Sequence, residues 1–566
     1  MRAWRYVAEL GGAFALALSV GVASGFPALA EPNVTAVAAA DAPRNLTSAQ
    51  WREDLNFMAS EMKRRHKNLY HTITQQQFDA AVAELDRAIP SLKRNEIIVG
   101  MMRIAAMVGD GHTRVDPRKD PNFGFRSLPL RLYTFDDGLY VRAAAPAYAN
   151  LVGAEVTAFN GVPTGAAIKR IDPIVSKDNA MALPLFAPVY LNMPDILEAL
   201  KLSPSTDMAV LTLRKSGRTW TAKIPAGDVA EPWPDDTDGS FIDPKGWVDA
   251  RRTAEPPLWL QAPLDFHRLV PLPTDAAIYT QLNEVTDIPG ETLPQYGRKI
   301  RDAAAAAHAT KVIVDLRLNY GGNMDLRNGY TSELIKTEDE DTQLFVLSAR
   351  GSFSATEGLL VDLRRLTHAV FVGEPASSKP NSYGDAYRSM MPNSGIAVRT
   401  SIRWNQLAGV SKAPWTGVDV AAPLTFAQYA AGRDPALEAV LAYSPRPPLS
   451  DQLVEAAKAG GVEGALGALA TYRSDLRNRY QDFALTVPRA ADRLYVMKQP
   501  EASFAVAEQA AHDYPASVDA WLVLAFIANL THHRDVALEA VHRTLALEPD
   551  NRPAQDLLER MGASKS

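Results

Sequence analysis

The sequence predicts a multidomain α/β protein, and three observations lead to this class. A chain of 566 residues exceeds the size of a single hydrophobic core, so three or four domains are expected. Between residues 277 and 379, apolar runs alternate with helical patterns, which is typical of a mostly parallel sheet. After Pro445, apolar residues recur only at the spacing of helices.

Bulk composition excludes several kinds of site. A net charge of −6 gives no signal for a polyanionic partner, so we predict no nucleic-acid binding. The chain contains no cysteine, which excludes thiol nucleophiles, disulfides and cysteine-based zinc sites. No metal-ligand cluster, phosphate-binding loop or G-x-S-x-G elbow is recognisable, and we predict neither a metal nor a cofactor.

The first thirty residues have the pattern of a secretory signal peptide. Arg2 and Arg5 precede a small apolar stretch over 10–23, which is too short and too rich in glycine for a comfortable membrane span. The Ala-Leu-Ala sequence ending at Ala30 then matches a cleavage site. We therefore predict cleavage after Ala30 and a secreted or periplasmic protein with no stable membrane span; an uncleaved anchor is the alternative.

A small helical domain is predicted over 46–120. Apolar residues recur at helical spacing in three segments, and the last ends at Gly109-Asp110-Gly111, a cluster that breaks helices. The third helix is therefore expected to present His112 on an exposed turn.

A β-rich module is predicted over 125–226. Asp136-Asp137-Gly138 and Lys215-Ser216-Gly217 each separate two apolar runs, as in hairpins. The stretch 153–163, which reads Gly-Ala-Glu-Val-Thr-Ala-Phe-Asn-Gly-Val-Pro, resembles a strand of the PDZ-like domains of processing proteases. We predict a PDZ-like module, with an unrelated β insertion as the alternative.

The core domain is predicted over 258–445, and its strands end in turns that carry chemistry. Gly321-Gly322 follows one apolar strand, Ser354 follows the next, and Lys379 lies in the loop after the third. Because the carboxyl ends of parallel strands form the sites of α/β proteins, we expect these residues to lie close together.

The residues of the core match the needs of a serine nucleophile, which are a base, an exposed position and an oxyanion hole. Ser354 precedes a predicted helix, so the N–H of Ala355 can bind an oxyanion there. Gly321 and Gly322 permit close backbone approach and a second donor. A plain helix cap is the alternative for Ser354, and a structural turn is the alternative for the two glycines.

Two residues compete for the role of base. Lys379 can fold back onto Ser354, but it acts as a base only if burial lowers its pKa. His112 has an ordinary pKa that suits proton transfer, and distance in sequence does not exclude it. A solvated loop lysine and a turn-capping histidine are the structural alternatives, so the choice stays open.

Three ordered motifs of the core resemble the tail-specific, or C-terminal-processing, protease family of serine peptidases, which includes tricorn-like and retinoid-binding-protein-like relatives. The stretch 315–322 resembles D-L-R-x-N-x-G-G, 354–357 resembles S-A-x-E, and 373–380 resembles G-E-x-T-x-G-K-G. The resemblance implies a ClpP/crotonase-like α/β core, Ser354 as nucleophile, Lys379 as base and recognition of protein C-termini.

The chain also departs from the family pattern around the lysine. Tyr383 stands where the family often places a glutamine, Ser378 and Pro380 replace the flanking glycines, and Ala376 replaces the threonine. In tricorn-like relatives the base is instead a histidine from a D-G-H-T segment, which His112 and its neighbours resemble more weakly.

The tail, predicted over 450–566, is helical. Pro515 and Pro549 are one period of a tetratricopeptide repeat apart, and Trp521 and Ala537 fall at offsets of that repeat. We predict tetratricopeptide-like helices that bind a protein partner, with a plain helical pair covering the core as the alternative.

Taken together, these patterns predict an exported serine-type endopeptidase that acts on polypeptides. A non-catalytic scaffold for peptides or apolar ligands, and a small-molecule ester or amide hydrolase, are the alternatives. The predicted order is a signal peptide (1–30), a linker (31–45), the helical domain (46–120), the PDZ-like module (125–226), a linker (227–257), the protease core (258–445) and the helical tail (450–566).

Overall fold

The described part of the chain covers residues 45–117, 120–227, 239–251 and 254–562 of a computed structural model. These residues belong to one compact unit, Pro43–Ser566, and they form helical regions, an antiparallel sheet, a mostly parallel sheet and a separate hairpin. The predicted multidomain α/β class is thereby confirmed. The predicted signal peptide and its cleavage site lie outside the described residues, as do residues 31–44 of the first linker and residues 228–238 and 252–253 of the second.

Three helices form the N-terminal region. They are α1 (Ser48–Arg65), α2 (Gln75–Ala88) and α3 (Arg94–Ala106). Thr47 and Thr74 begin the first two helices with capping boxes, which satisfy N–H groups that have no partner inside the helix. Beyond α3 the chain turns at Gly109, where a φ of +84° favours glycine. The segment that follows this turn carries His112.

A seven-stranded antiparallel sheet lies where the sequence predicts the β-rich module. Its region comprises β1 (Leu130–Phe135), β2 (Gly138–Ala144), β3 (Glu155–Phe159), β4 (Val162–Pro163), α4 (Thr164–Ile171), α5 (Ala182–Leu191), α6 (Pro194–Ala199), β5 (Met208–Lys215), β6 (Arg218–Pro225) and β7 (Val248–Asp249). The strand order is β1-β2-β3-β5-β6, with β4 on β3 and β7 on β2. The PDZ-like identity of this module stays a prediction.

A six-stranded sheet forms the core region, in the order β15-β12-β11-β10-β9-β8. Its elements, together with a hairpin described next, are α7 (Leu258–Gln261), β8 (His267–Leu272), β9 (Ala277–Leu282), α8 (Leu293–Ala307), β10 (Lys311–Asp315), α9 (Arg327–Ile335), β11 (Gln343–Ser348), α10 (Ala355–Leu366), β12 (Val370–Gly373), β13 (Asn381–Met390), β14 (Ala397–Gln406), β15 (Val420–Ala421), α11 (Phe426–Ala430) and α12 (Pro435–Leu441). Strands β9 to β12 and β15 run parallel, and β8 adds an antiparallel edge. The loops after β10, β11 and β12 therefore meet at one edge of the sheet.

The hairpin of β13 and β14 forms a sheet of its own. It packs against α1, and Arg114 and Arg399 exchange backbone hydrogen bonds of 3.0 and 2.9 Å. The sequence did not predict this hairpin, because β13 contains Gly384 and Asp385 and lacks a regular apolar alternation. The hairpin joins the N-terminal region to the core region.

Helices alone form the tail. They are α13 (Leu449–Ser474), α14 (Phe483–Val496), α15 (Pro500–Asp513), α16 (Val518–Leu530), α17 (Arg534–Leu547) and α18 (Arg552–Arg560). Alanine-rich faces pack together in its core, and α13 bends at Gly460-Gly461. Gln481 donates a hydrogen bond of 3.1 Å to the carbonyl of Val418, which docks the tail on the core region. The tetratricopeptide-like identity stays a prediction.

Membrane-spanning helices were also sought. Across the ranges that the structure describes, no helix combines the length and the apolar character needed to cross a bilayer.

Candidate active site

Ser354 lies in the sharp turn between β11 and α10. Its backbone has a φ of +56° and a ψ of −119°, a conformation that costs a non-glycine residue about 1–3 kcal/mol and is concentrated at functional sites. The N–H of Ser354 donates to Ser378 Oγ at 2.9 Å. This bond fixes the turn, so the hydroxyl is held at the carboxyl edge of the sheet where the sequence places it.

The side chain in contact with this hydroxyl is His112, whose Nε2 lies 2.9 Å from Ser354 Oγ. The imidazole stacks on Phe353 with ring centroids 4.5 Å apart. His112 is only 9% exposed, whereas the sequence predicts an exposed turn. The difference arises because Phe353 and the backbone of the hairpin near Gly384 cover the ring, and neither contact is visible in the local sequence.

Burial controls the protonation of this histidine. Desolvation, aided by the nearby charge of Arg114, lowers the pKa of His112 to about 4. The imidazole is therefore neutral near neutral pH, and a neutral imidazole can accept a proton from the Ser354 hydroxyl. Its Nδ1 has no partner in the described ranges that meets hydrogen-bond geometry, although the carbonyl of Tyr383 lies close enough to raise the pKa.

Asp110 holds the backbone that carries His112. Its Oδ1 accepts the N–H groups of His112 and Thr113 at 3.0 and 2.6 Å and the hydroxyl of Ser401 at 2.7 Å. Burial alone would raise the pKa of Asp110, but hydrogen bonds from His66 and Ser401 hold it below its ordinary value. Asp110 thus acts on the main chain of His112 rather than on its ring.

His66 in turn holds Asp110 in place. Its Nε2 lies 2.9 Å from Asp110 Oδ2, and its Nδ1 accepts the N–H of Asn68 at 3.0 Å. Since Nδ1 is an acceptor, Nε2 carries the proton and donates it to the carboxylate. No motif in the sequence marks His66, so this contact is visible only in the structure.

Two backbone N–H groups near Ser354 are free to bind an oxyanion. Within the described ranges, neither Gly322 nor Ala355 donates its N–H to a protein acceptor. The N–H of Gly321 donates to Asn319 Oδ1 at 3.0 Å, so it is not available to bind an oxyanion. A Cβ at Gly321 would lie 2.9 Å from the Cβ of Ser354. Gly321 therefore makes room for the Ser354 side chain, while Gly322 and Ala355 are the candidate oxyanion donors.

Gly322→Ala is expected to lower kcat about 10²–10³-fold, as loss of one oxyanion donor does. The added Cβ would lie 2.5 Å from the carbonyl oxygen of Val285, at a φ of +121°, so the loop must move and take the N–H with it. Steady-state kinetics and thermal unfolding check this. Gly290→Ala is the control, because Gly290 also has a positive φ but open space around it. An unchanged kcat would exclude Gly322 as a donor.

Lys379, the base that the family resemblance implies, has neighbours other than the Ser354 hydroxyl. Among the hydrogen bonds of residues 45–117, 120–227, 239–251 and 254–562, none joins Lys379 to Ser354. Lys379 is half-buried in a cleft, and its ammonium and N–H lie near the carboxylate of Asp178. The structure thus brings His112, and not Lys379, into contact with the Ser354 hydroxyl.

Two buried acids lie near the site and bind neither imidazole. Desolvation raises the pKa of Glu357 to about 8, although the N–H and hydroxyl of Thr416 donate to it. Desolvation and the charge of Asp110 raise the pKa of Asp178 to about 7. From the sequence, Asp110, Glu357 and Glu374 are the candidates to orient an imidazole. In the structure, Glu357 binds Thr416 and Glu374 pairs with Arg350 at 3.2 Å.

Comparisons with known proteins give distant likenesses. No protein-family model matches the chain, and no curated protein is similar to it. Solved structures that it resembles include mature CPAF in complex with lactacystin (13% identity, TM-score 0.48, covering 70% of this chain and 98% of that one), the photosystem II D1 C-terminal processing protease (14%, 0.32, 70% and 97%) and the tricorn protease (12%, 0.28, 70% and 36%). Proteases of the kind that the motifs resemble are thus among the solved structures that this chain resembles. At these identities and scores, the roles of the side chains rest on their geometry alone.

Proposed function

We propose that this chain is a serine peptidase of the tail-specific protease family, with Ser354 as its nucleophile and His112 as its base. The observation that carries the proposal is the 2.9 Å contact between His112 Nε2 and Ser354 Oγ. A hydroxyl on a buried, neutral imidazole is the arrangement that nucleophilic catalysis needs. A non-catalytic scaffold has no use for this contact, nor for the strained backbone at Ser354.

The first half of the reaction forms an acyl-enzyme. Ser354 Oγ attacks the carbonyl carbon of the scissile bond while its proton passes to His112 Nε2. The carbonyl oxygen becomes an oxyanion and accepts hydrogen bonds from the N–H groups of Gly322 and Ala355. When the tetrahedral intermediate collapses, the C–N bond breaks and His112 gives its proton to the leaving amine.

The second half releases the acyl group. A water molecule attacks the ester carbonyl as His112 Nε2 takes one of its protons. Collapse of this second intermediate breaks the bond to Ser354 Oγ, and the proton on His112 returns to that oxygen. The same two N–H groups stabilise both oxyanions, so one geometry serves both steps.

Polypeptides are the proposed substrates. The PDZ-like module and the tetratricopeptide-like tail are both of a kind that binds extended chains, and on that basis they would present substrate to Ser354. The test is cleavage of an unfolded polypeptide by the purified full chain, followed by mass spectrometry of the products. Cleavage that persists in Ser354→Ala would refute the proposal. Export to the periplasm is proposed on the signal-peptide pattern ending at Ala30 alone.

The pH dependence of kcat/KM follows from the proposed base. Because the pKa of His112 is lowered to about 4, the neutral, competent form persists at all higher pH. We expect kcat/KM to fall only below about pH 4, not near 6.5, where an ordinary histidine titrates. Kinetics between about pH 3 and 9 check this. Activity that rises steadily toward alkaline pH would instead indicate a lysine base, since a lysine accepts a proton only in its neutral form.

A further inference from the structure

Two adjacent side chains, Asp178 and Asn179, lie between α4 and α5, and both are buried. No motif marks them, and neither takes part in the proposed bond-making steps. Asp178 Oδ1 accepts the N–H of Gly111, the residue before His112, at 2.9 Å. The N–H of Lys379 also lies near the Asp178 carboxylate. Asp178 therefore lies between the segment that carries the proposed base and the loop that follows β12.

The amide of Asn179 holds the backbone of two loops at the same edge of the parallel sheet. Its Nδ2 donates to the carbonyl oxygens of Ala376 and Ser378 at 3.0 Å each, and to that of Pro414 at 2.7 Å. Since its Oδ1 accepts the N–H of Met181 at 2.9 Å, the nitrogen is the end of the amide that faces the loops. One buried side chain thus connects the loop after β12 with the loop before β15.

Both of these loops in turn contact the chain on either side of Ser354. Before the turn into α10, the N–H of Ser354 donates to Ser378 Oγ at 2.9 Å. Within α10, Glu357 Oε1 accepts the N–H and hydroxyl of Thr416, two residues after Pro414, at 3.3 and 2.6 Å. The loops that the amide binds are therefore the loops that position the Ser354 hydroxyl.

We infer that Asp178 and Asn179 are positioning residues for the proposed catalytic pair, because they tie the backbone of one member to the loop that supports the other. The inference rests on the proposed peptidase function and extends it to two side chains that act through the main chain. His112 and Ser354 share a single contact of 2.9 Å, so a relative shift of the two backbone segments alters that distance directly. A misplacement of about 1 Å can cost about 10²-fold in rate.

The test compares Asn179→Ala with Asn192→Ala in the full chain. Asn192 is a matched control because it is 6% exposed, against 7% for Asn179, and its Nδ2 also donates to backbone carbonyls. Those acceptors are Leu128 and Leu130, at 3.1 and 2.9 Å, and they lie at the start of β1 rather than in the loops around Ser354. Both variants should therefore lower Tm by comparable amounts, since each leaves buried carbonyl groups without a donor.

Only Asn179→Ala should also slow the chemistry. The substrate is an internally quenched peptide that contains a cleavage site mapped in an unfolded polypeptide. We expect kcat to fall about 10- to 100-fold while KM stays within about twofold. The rate at which a fluorophosphonate modifies Ser354 should fall in parallel, because that reaction depends on the nucleophile and its base rather than on peptide binding.

Further variants distinguish positioning from a general loss of structure. Asp178→Asn keeps the Oδ1 acceptor for the Gly111 N–H and should retain kcat within about threefold, whereas Asp178→Ala should lower it about 10- to 100-fold. Because Asn179 is inferred to act through the loop of Ser378, the losses from Asn179→Ala and Ser378→Ala should not multiply. The double variant should lose less than the product of the two single losses.

The outcomes separate this inference from the proposed function. Equal kcat in Asn179→Ala and Asn192→Ala would overturn the inference, while cleavage that depends on Ser354 leaves the peptidase intact. A rise in KM at unchanged kcat would overturn it as well, since Asn179 would then bind substrate. So would losses that multiply in the double variant. If Asn179→Ala does not fold, equal losses in Asp178→Asn and Asp178→Ala would overturn the inference instead.

Discussion

Ser354→Ala is expected to lower kcat/KM for an unfolded polypeptide by at least about 10³-fold, because without Oγ no acyl-enzyme can form. The oxyanion hole and substrate binding alone still accelerate hydrolysis, and this residual rate sets the lower limit of kcat/KM in the variant. The fold should be unaffected, since Ser354 Oγ contacts His112 Nε2 and the N–H that fixes the turn to Ser378 belongs to the main chain. Product formation resolved by mass spectrometry, with thermal unfolding alongside, checks both statements.

A matched serine shows that the loss is specific. Ser474→Ala removes a hydroxyl from the exposed end of α13, far along the chain from the site, and it should retain full activity. If Ser354→Ala were to cleave at the wild-type rate, Ser354 would be no more than the residue that begins α10. The 2.9 Å contact with His112 would then have no catalytic meaning.

His112→Ala is expected to lower kcat about 10²–10⁴-fold, the usual contribution of a general base. The proton of Ser354 would have no nearby acceptor, and the stacking on Phe353 would be lost. His368→Ala is the control, because its side chain is 95% exposed. Single-turnover kinetics of both variants separate loss of chemistry from loss of binding.

The same experiment, carried out on Lys379 as well, distinguishes the two candidate bases. Under the proposed mechanism, Lys379→Met retains kcat on an unfolded polypeptide. Should His112→Ala stay active while Lys379→Met loses turnover on every substrate, the base is Lys379. The contact seen between His112 and Ser354 would then serve only to hold the turn.

The sequence predicts those parts of the site that depend on residues close together in the chain. Gly321, Gly322 and Ser354 each follow a buried apolar strand, and the shared edge of a parallel sheet brings such positions together. The capping boxes at Thr47 and Thr74 likewise depend on residues three positions away. These features need no knowledge of distant contacts, which is why patterns of residues suffice for them.

The base could not be chosen from sequence, because 242 positions separate His112 from Ser354. Its burial depends on Phe353 and on the hairpin of β13 and β14, whose irregular apolar pattern predicts no strands. The pKa of His112 depends on that burial. His66 was missed for the same reason, since its partner Asp110 lies 44 positions along the chain.

The departure from the family pattern at Ser378 shows a further limit of prediction from motifs. Read as sequence, a serine in place of a glycine weakens the match around Lys379. In the structure, the Ser378 hydroxyl accepts the Ser354 N–H at 2.9 Å. A glycine there would offer no such acceptor, so Ser378 supports the turn at Ser354 in a way that a comparison of motifs does not detect.

The two proposed catalytic residues, His112 and Ser354, come from two different regions of the chain. Ser354 comes from the core region, whereas His112 comes from the segment that follows the three N-terminal helices. Under the proposed mechanism, a fragment that holds the core region alone would contain the nucleophile and the oxyanion donors but no proton acceptor. Cleavage would then begin only after the N-terminal region has packed against the core region.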